Sequence, residues 1–209
     1  MTVLYLMCGV PGCGKSTWIN KNKIDSDVVI SRDVVRFSLV KEHEDYFSKE
    51  NLVFDTFIDQ INEAIDKGAN TIFVDATHIN EASRNKVLDR LHLSDDVKVT
   101  PVFIKEKLAT CLHRNSLREG RSNVPPNAIT RMYKNLRAPN FNEKHYYASI
   151  IIVDEGAWVR TWNSKETPPW KDPEFHCQDY SSNVYSKKSY KLDLKKNLED
   201  LYGKHLLHF

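Results

Sequence analysis

The chain is short of cysteine and glycine and has no long apolar run. Its four cysteines form no C-x-x-C pair, which argues against a disulfide framework and a zinc site and favours the reducing cytoplasm. No apolar run approaches the roughly 18 residues that cross a bilayer, so we expect no membrane contact. The apolar start lacks a preceding basic segment, which argues against a signal peptide.

Neither sign of charge dominates among the 209 residues. The 30 Lys and Arg residues face 28 Asp and Glu residues, for a formal net charge of +2. A protein that coats nucleic acid through overall basicity is therefore excluded, and any contact with a polyanion must be local. These counts leave the oligomeric state open.

Short apolar runs alternate with segments of helical period along the first three quarters of the chain. The predicted strands are 3–8, 28–30, 71–75, 97–103 and 149–153, and the predicted helices are 15–22, 52–67, 81–93, 106–119 and 126–136. Runs rich in β-branched residues are typical of strands buried on both faces, and parallel strands need crossover helices. The sequence therefore predicts an α/β fold in which helices flank a parallel sheet.

The composition changes after Asp154, where tryptophan, proline and polar residues become frequent. We therefore expect one domain over residues 1–156 and a C-terminal extension of unassigned role over residues 157–209. Lysines at 187–196 favour a solvated helix face, and the alternative is a surface that contacts a partner or nucleic acid.

Three of the seven glycines fall within residues 9–17, GVPGCGKST, which fit the pattern G-x-x-x-x-G-K-S/T between a predicted strand and a predicted helix. Glycines let backbone N–H groups point inward at phosphate, and the helix presents its positive end. A lysine here follows the transferred phosphate, and a hydroxyl ligates Mg²⁺. We expect a nucleoside triphosphate and Mg²⁺ to be bound by the following residues, of which Ser16 ligates the metal: Gly9, Gly12, Cys13, Gly14, Lys15, Ser16 and Thr17.

A carboxylate and an arginine follow the second predicted strand. Asp33 is positioned to accept the proton of an acceptor hydroxyl, and Arg36, one helical turn later, to hold an anionic group of the acceptor. The alternative is that Asp33 caps the next helix and pairs with Arg36. The two roles are compatible.

The third predicted strand ends in Asp75, a position suited to Mg²⁺ through water or to orienting other groups. After it, Thr77 and Asn80 either contact the acceptor or cap the helix that begins near residue 81, and capping is favoured for Asn80. We interpret His78 as a loop residue rather than a catalyst.

Residues 114–137 carry six Lys and Arg against one Glu, and a polar turn interrupts them. Arg114 and Arg118 are spaced for one helical face. The segment is typical of a mobile lid that brings an arginine to the transferred phosphate, and a solvated basic helix is the alternative.

Together these blocks resemble the kinase domain of the phage-type 5′-polynucleotide kinases, within a wider group of P-loop kinases that phosphorylate hydroxyl groups. The matching blocks cover about residues 1–155 in family order: 9–18, Arg32-Asp33 with Arg36, Asp75-Ala76-Thr77 with Asn80, Arg114-Asn115 with Arg118, Val124-Pro125 and Met132-Tyr133. The sequence departs from the family at Ala76, where the phage-type enzyme has the aspartate that precedes the threonine, and it lacks the family's phosphatase motif.

The resemblance implies a P-loop kinase fold and ATP-dependent phosphorylation of the 5′-hydroxyl end of RNA or DNA. It implies catalytic roles for Lys15, Asp33 and Arg118, with Arg114 as a second nucleotide-binding arginine. It places Arg36 on the acceptor's 3′-phosphate, and we expect Asp75 and Thr77 on the acceptor side. The alternatives are a kinase of a small-molecule or tRNA-linked hydroxyl, and a nucleotide-dependent regulatory ATPase.

Overall fold

A six-stranded sheet organises the chain in the computed structural model, which describes residues 1–154 and 158–163. The strands are β1 (Thr2–Cys8), β2 (Val28–Ser31), β3 (Thr71–Asp75), β4 (Val97–Lys105), β5 (Ser149–Asp154) and β6 (Trp158–Asn163). They lie in the order β2-β3-β1-β4-β5-β6, and the first five are parallel. The predicted parallel sheet is confirmed, with every predicted strand in place.

Helices flank the sheet, as predicted, and connect its parallel strands. They are α1 (Lys15–Asn22), α2 (Arg32–Leu39), α3 (Glu50–Asp66), α4 (Glu81–Leu88), α5 (Leu108–Ser116) and α6 (Pro126–Lys134). No helix in the described part of the chain is long and apolar enough to cross a membrane.

Three helices are shorter than their apolar periods predicted, and the one predicted over 126–136 ends only two residues early, at Lys134. The helix predicted over 81–93 ends at Leu88, where the chain turns toward β4. The helix predicted over 106–119 covers only Leu108–Ser116, because the buried Asn115 side chain binds the backbone of Val124 and folds the chain back on itself. This turn includes a short 3-10 helix at Gly120–Ser122.

The central strand β1 is buried along its whole length between β3 and β4. Tyr5 on β1 stacks on Phe73 of β3 with ring centroids 5.1 Å apart. Trp18 of α1 meets both rings edge-on, at 5.8 and 6.2 Å. Such aromatic pairs add to the free energy of burial, so this cluster fixes the first turns of α1 above the sheet.

The sheet continues past residue 156, where the sequence places the domain boundary. Strand β6 pairs antiparallel with β5, from Ser149 opposite Asn163 to Asp154 opposite Trp158. The division into 1–156 and 157–209 therefore stays a prediction. The lysine-bearing residues 187–196 and Cys177 lie outside the described residues.

A buried ion pair ties α4 to the segment before β5. Arg84 donates from Nε to Glu143 at 2.8 Å and from Nη2 at 2.5 Å, and both side chains are only 1% exposed. Nη1 of Arg84 donates to the backbone carbonyls of His78 and Arg137, and the Tyr147 hydroxyl donates to Glu143 at 2.7 Å. Every charged oxygen and most guanidinium donors are thus satisfied, which a buried charge requires.

We expect Glu143→Gln to lower the free energy of unfolding by about 3–5 kcal/mol, because it leaves the buried Arg84 charge without a counter-charge. Chemical denaturation measures the change. The control is Glu63→Gln in the exposed pair with Lys67, which should cost at most about 1 kcal/mol. Equal effects of the two substitutions would contradict the structural role given to the buried pair.

Candidate active site

The loop between β1 and α1 borders a cavity of about 680 Å³ at the carboxyl edge of the sheet. All three of its glycines adopt positive φ, at 152° for Gly9, 82° for Gly12 and 111° for Gly14. The cavity is lined by residues 12–17 of the predicted phosphate loop and by Trp18. These backbone angles let the loop curl around an anion, as the motif predicts.

Gly12 lies directly against the backbone of α5. A Cβ atom at this position would overlap the carbonyl oxygen of Cys111 and come within 3.0 Å of its carbonyl carbon. The loop and the N-terminal half of α5 are therefore packed backbone to backbone. Only glycine fits this close approach, so the residue fixes the distance between the loop and α5.

The predicted phosphate, metal and strand-end residues lie side by side. Lys15 Nζ donates to the carbonyls of Gly9 and Val10, at 3.0 Å each. Ser16 Oγ donates to Asp75 Oδ2 at 3.3 Å, and the Gly9 N–H donates to the Thr77 carbonyl at 2.8 Å. The loops that follow β1 and β3 are thus joined by hydrogen bonds.

The oxygen atoms in this corner fit a Mg²⁺ ion that carries phosphate and water ligands. A serine hydroxyl and a carboxylate are ligands that Mg²⁺ accepts, and it usually keeps several waters. The described residues contain no cluster of three or more Asp, Glu, His or Cys side chains that would hold a metal alone. Ser16 is the residue suited to direct ligation and Asp75 to support it.

The pKa of Asp75 depends on charged residues on both sides of the site. Burial raises the pKa of its carboxyl above the usual value, and the negative charge of Asp33 raises it further. Lys15, Arg118 and the Ser16 hydrogen bond act in the opposite direction. The carboxylate therefore lies within electrostatic reach of both the predicted base and the predicted lid arginine.

Two arginines reach the cavity from the predicted lid. Arg114 Nη1 lies 3.1 Å from Glu106 Oε2 and 3.5 Å from the Gly12 carbonyl oxygen. Arg118 also lines the cavity, although α5 ends two residues before it. The expected shared helical face is wrong, because the turn held by Asn115 starts earlier, but both side chains face the same space.

Of the two residues predicted to contact an acceptor, Asp33 is exposed and Arg36 is not. The Asp33 side chain is 67% exposed in the first turn of α2, while the Arg36 side chain is 6% exposed. Arg36 donates to Asp33 Oδ1 at 3.1 Å and to Glu50 Oε2 at 2.6 Å. The predicted ion pair is therefore present, but Ser31 occupies the N-cap position of α2, and Asp33 lies in the first turn.

Three site residues were missed by reasoning from the sequence. Glu106 follows β4 directly and is buried, so its position after an apolar strand was a usable signal. Glu50 bridges Arg36 and Arg32, and the Tyr46 hydroxyl lies 3.4 Å from Asp33 Oδ1. No local pattern points to these two, because they approach α2 from a separate segment.

The loop after β3 contains a buried histidine and a helix cap. Asn80 accepts from the Ser83 N–H at 3.0 Å and Ser83 reciprocates, so the predicted cap is confirmed as a capping box. His78 has φ of 36° and is bonded through Nδ1 to the Met7 carbonyl at 2.7 Å. Burial lowers the pKa of His78 to about 3, so the ring is neutral. Its role as a loop residue fits this position.

Residues 4–139 match a family model described as an AAA domain. Solved structures with a similar fold include a sugar kinase from Janibacter sp. HTCC2649, at 15% identity and a TM-score of 0.51, over 74% of this chain and 86% of that one. The Pnkp1/Rnl/Hen1 RNA repair complex matches at 18% identity and a TM-score of 0.55, over 65% of this chain and 44% of that one. A fungal RNA kinase matches at 13% identity and a TM-score of 0.50, over 73% of each chain. No curated protein sequence is similar enough to match.

We expect Gly12→Ala to weaken nucleotide binding by at least about tenfold, because the added methyl group pushes the loop away from the α5 backbone. Gly120→Ala is the matched control: its φ is also positive, at 55°, but no atom of the described residues lies within 4 Å of an added Cβ. The control substitution should lower the free energy of unfolding by about 1–2 kcal/mol, which is the backbone strain of alanine at a positive φ, and should leave nucleotide affinity unchanged. Binding titrations and chemical denaturation of both variants test this, and unchanged nucleotide affinity in Gly12→Ala would contradict it.

We expect the folded protein to lose stability as the pH falls below 6.5, partly through His78. The unfolded histidine gains a proton near its ordinary pKa of 6.5, while the folded one stays neutral down to about 3. At pH 5 this favours the unfolded chain by about 2 kcal/mol, at about 1.4 kcal/mol per pH unit. Denaturation at pH 7 and pH 5 should show that His78→Asn removes this part of the loss. The exposed His113→Asn is the control, and an equal loss in both variants would contradict the assignment.

Proposed function

We propose a reaction for this chain, which belongs to the AAA domain family and has a P-loop kinase fold. In this reaction the chain transfers the γ-phosphoryl group of ATP to the 5′-hydroxyl end of RNA or DNA. The observation that carries this proposal is the placement of Asp33. It is an exposed carboxylate at the edge of the sheet where the phosphate loop lies, and its charge reaches Asp75, which accepts the Ser16 hydrogen bond. A base beside a phosphate site is what phosphorylation of a hydroxyl requires.

In this proposal Lys15 binds the phosphates of ATP and Ser16 ligates the metal. Backbone N–H groups of the loop surround the triphosphate, and they belong to Gly9, Gly12, Cys13, Gly14 and Thr17. When bound, Mg²⁺ neutralises charge on the phosphate oxygens. The acceptor oxygen attacks the γ-phosphorus and passes its proton to Asp33, while the bond between the γ-phosphorus and the bridging oxygen breaks and ADP leaves. Arg118 stabilises charge on the transferred group, and Arg114, oriented by Glu106, contacts the nucleotide.

Support for a polynucleotide acceptor comes from the blocks shared in order with the phage-type kinases. Two of the solved structures with a similar fold are those of an RNA repair complex and of a fungal RNA kinase. Asp75 and Thr77 line the acceptor side in this proposal, with Thr77 placed by its backbone bond from Gly9.

A kinase of a small hydroxyl compound is the second candidate, and one observation favours it. Arg36, the residue that the resemblance places on the acceptor's 3′-phosphate, is buried and already bonded to Glu50 and Asp33. A neutralised arginine attracts an anionic acceptor less strongly than a free one. A neutral sugar or nucleoside does not need that contact.

The decisive experiment follows labelled γ-phosphate from ATP and Mg²⁺ to short 5′-hydroxyl RNA and DNA oligonucleotides, with nucleosides and sugars in parallel. We expect label on the oligonucleotides, none with Lys15→Ala, and a kcat lower by about 10²–10⁴-fold with Asp33→Asn because the base is lost. ATP affinity should be unchanged in Asp33→Asn. The control Asp59→Asn removes an exposed carboxylate on α3 and should behave as wild type.

Label confined to a small acceptor would replace the polynucleotide proposal with the second candidate. Full transfer activity in Asp33→Asn would remove the base assignment. ATP consumption without any labelled acceptor would favour a regulatory ATPase instead.

A further inference from the structure

The proposed base, Asp33, has an exposed side chain that must be held in one orientation to act. The side chain is 67% exposed and lies in the first turn of α2. An exposed carboxylate can rotate among its rotamers, and each rotamer directs the two oxygens differently. A base must lie within hydrogen-bond reach of the proton that it accepts. The groups that contact Asp33 therefore determine whether it is ready to accept a proton.

Two side chains contact Asp33 and also contact each other. Arg36 Nη1 lies 3.1 Å from Asp33 Oδ1 and 3.3 Å from the Tyr46 hydroxyl oxygen. The Tyr46 hydroxyl oxygen lies 3.4 Å from the same Oδ1. Because a guanidinium only donates, the hydroxyl accepts from Arg36 and is left to donate its own proton to Asp33. The three groups thus form a closed triangle of hydrogen bonds.

Both contacts end on one oxygen of the carboxylate. Over the part of the chain that the structure describes, Oδ1 of Asp33 has these two partners and Oδ2 has none. The carboxylate is therefore anchored through Oδ1, while Oδ2 is left to accept a proton. A neutral hydroxyl provides the second anchor without placing another positive charge beside the base.

The ring of Tyr46 is itself held in place, which suits an anchor. The guanidinium of Arg36 lies over the ring at 4.7 Å from its centroid, and that of Arg121 lies at 5.8 Å. Phe37 and Phe47 meet the ring edge-on, with centroids 6.4 and 4.9 Å away. A side chain packed in this way has few rotamers open to it, so little conformational freedom is lost when its hydroxyl donates.

The Tyr46 hydroxyl keeps the proton that it needs as a donor. Burial raises the pKa of Tyr46 above its usual value, and the negative charge of Asp33 raises it further. The positive charge of Arg36 acts in the opposite direction, but the pKa stays raised. At neutral pH the hydroxyl is therefore protonated and can donate to the carboxylate.

We propose that Tyr46 is a positioning residue for phosphoryl transfer, whose hydroxyl holds Asp33 through Oδ1 and leaves Oδ2 to receive the proton of the acceptor hydroxyl. This inference rests on the proposed function, in which Asp33 is the base. Tyr46 acts through Asp33 and not on ATP or the acceptor. It comes from the segment between α2 and α3, so the proposed base is oriented by a part of the chain outside the phosphate loop and the strand ends.

Steady-state kinetics of label transfer from ATP to a 5′-hydroxyl oligonucleotide test the inference in the full chain. Tyr46→Phe keeps the ring and removes only the hydroxyl. We expect it to lower kcat by about 3- to 10-fold, the effect of one lost hydrogen bond, and to leave the KM values for ATP and the oligonucleotide unchanged. Tyr146→Phe is the matched control, because it removes the hydroxyl of an exposed tyrosine and should leave kcat unchanged.

A double variant shows whether the hydroxyl acts through the base. In the Asp33→Asn background, Tyr46→Phe should cause no further loss of kcat, because the base that it positions is already gone. Losses that multiply would overturn the inference, as would an unchanged kcat or a raised KM in Tyr46→Phe alone. If the wild-type protein labels no hydroxyl acceptor, the proposed function fails instead. If label appears only on a small hydroxyl compound, the same variants are compared with that compound, since the base has the same task.

A titration of Tyr46 tests its contact with Asp33 without any substrate. NMR of the chain labelled with isotope in its tyrosine rings follows their ionisation, and Tyr46→Phe identifies the signal. We expect Asp33→Asn to lower the pKa of Tyr46, because the negative charge that raises this pKa is removed. Asp59→Asn, which removes an exposed carboxylate on α3, should leave it unchanged. The same pKa of Tyr46 in wild type and Asp33→Asn would overturn the inference, whatever the transfer assay shows.

Discussion

The parallel pairing of β1 with both β3 and β4 is the constraint from which the site follows. Residues in register on the three strands, such as Leu6 opposite Val74 and Cys8 opposite Phe103, bring all three carboxyl ends to one edge. The phosphate loop leaves β1 there, Asp75 ends β3, and Glu106 follows β4. Ligand sites of parallel α/β sheets form at this edge because the helices cover the faces.

The charges around that edge are arranged in pairs, and the pairs determine which cations can act on a ligand. Glu106 orients Arg114 toward the loop, and Glu50 balances Arg36 on α2. Carboxylates that are partly or wholly buried need such partners, because an isolated charge away from water is costly. Arg118, on the turn after α5, lines the cavity, and no Asp or Glu among the described residues forms an ion pair with it.

Stability and the site are linked through the loop after β3. The buried Arg84 and Glu143 pair holds the His78 carbonyl, while the His78 ring bonds to Met7 of the central strand. The neighbouring Thr77 carbonyl accepts the Gly9 N–H of the phosphate loop. His78 keeps an unusual positive φ because one contact holds its carbonyl and another holds its ring. An ion pair between residues 59 apart in sequence thus supports the position of the loop that binds phosphate.

Local patterns in the sequence determined the parallel sheet, the glycine loop and the Asn80 cap, because each depends on the spacing of a few neighbouring residues. Tertiary structure alone decided where α5 ends, since Asn115 binds a segment that follows it by 9 residues. It alone decided that Arg36 is neutralised by Glu50, 14 residues away, and that Arg121 reaches Val40, 81 residues away. The sequence shows which arginines the chain contains. Which of them already has a carboxylate partner is decided by the folded structure, because the partners are far apart in sequence.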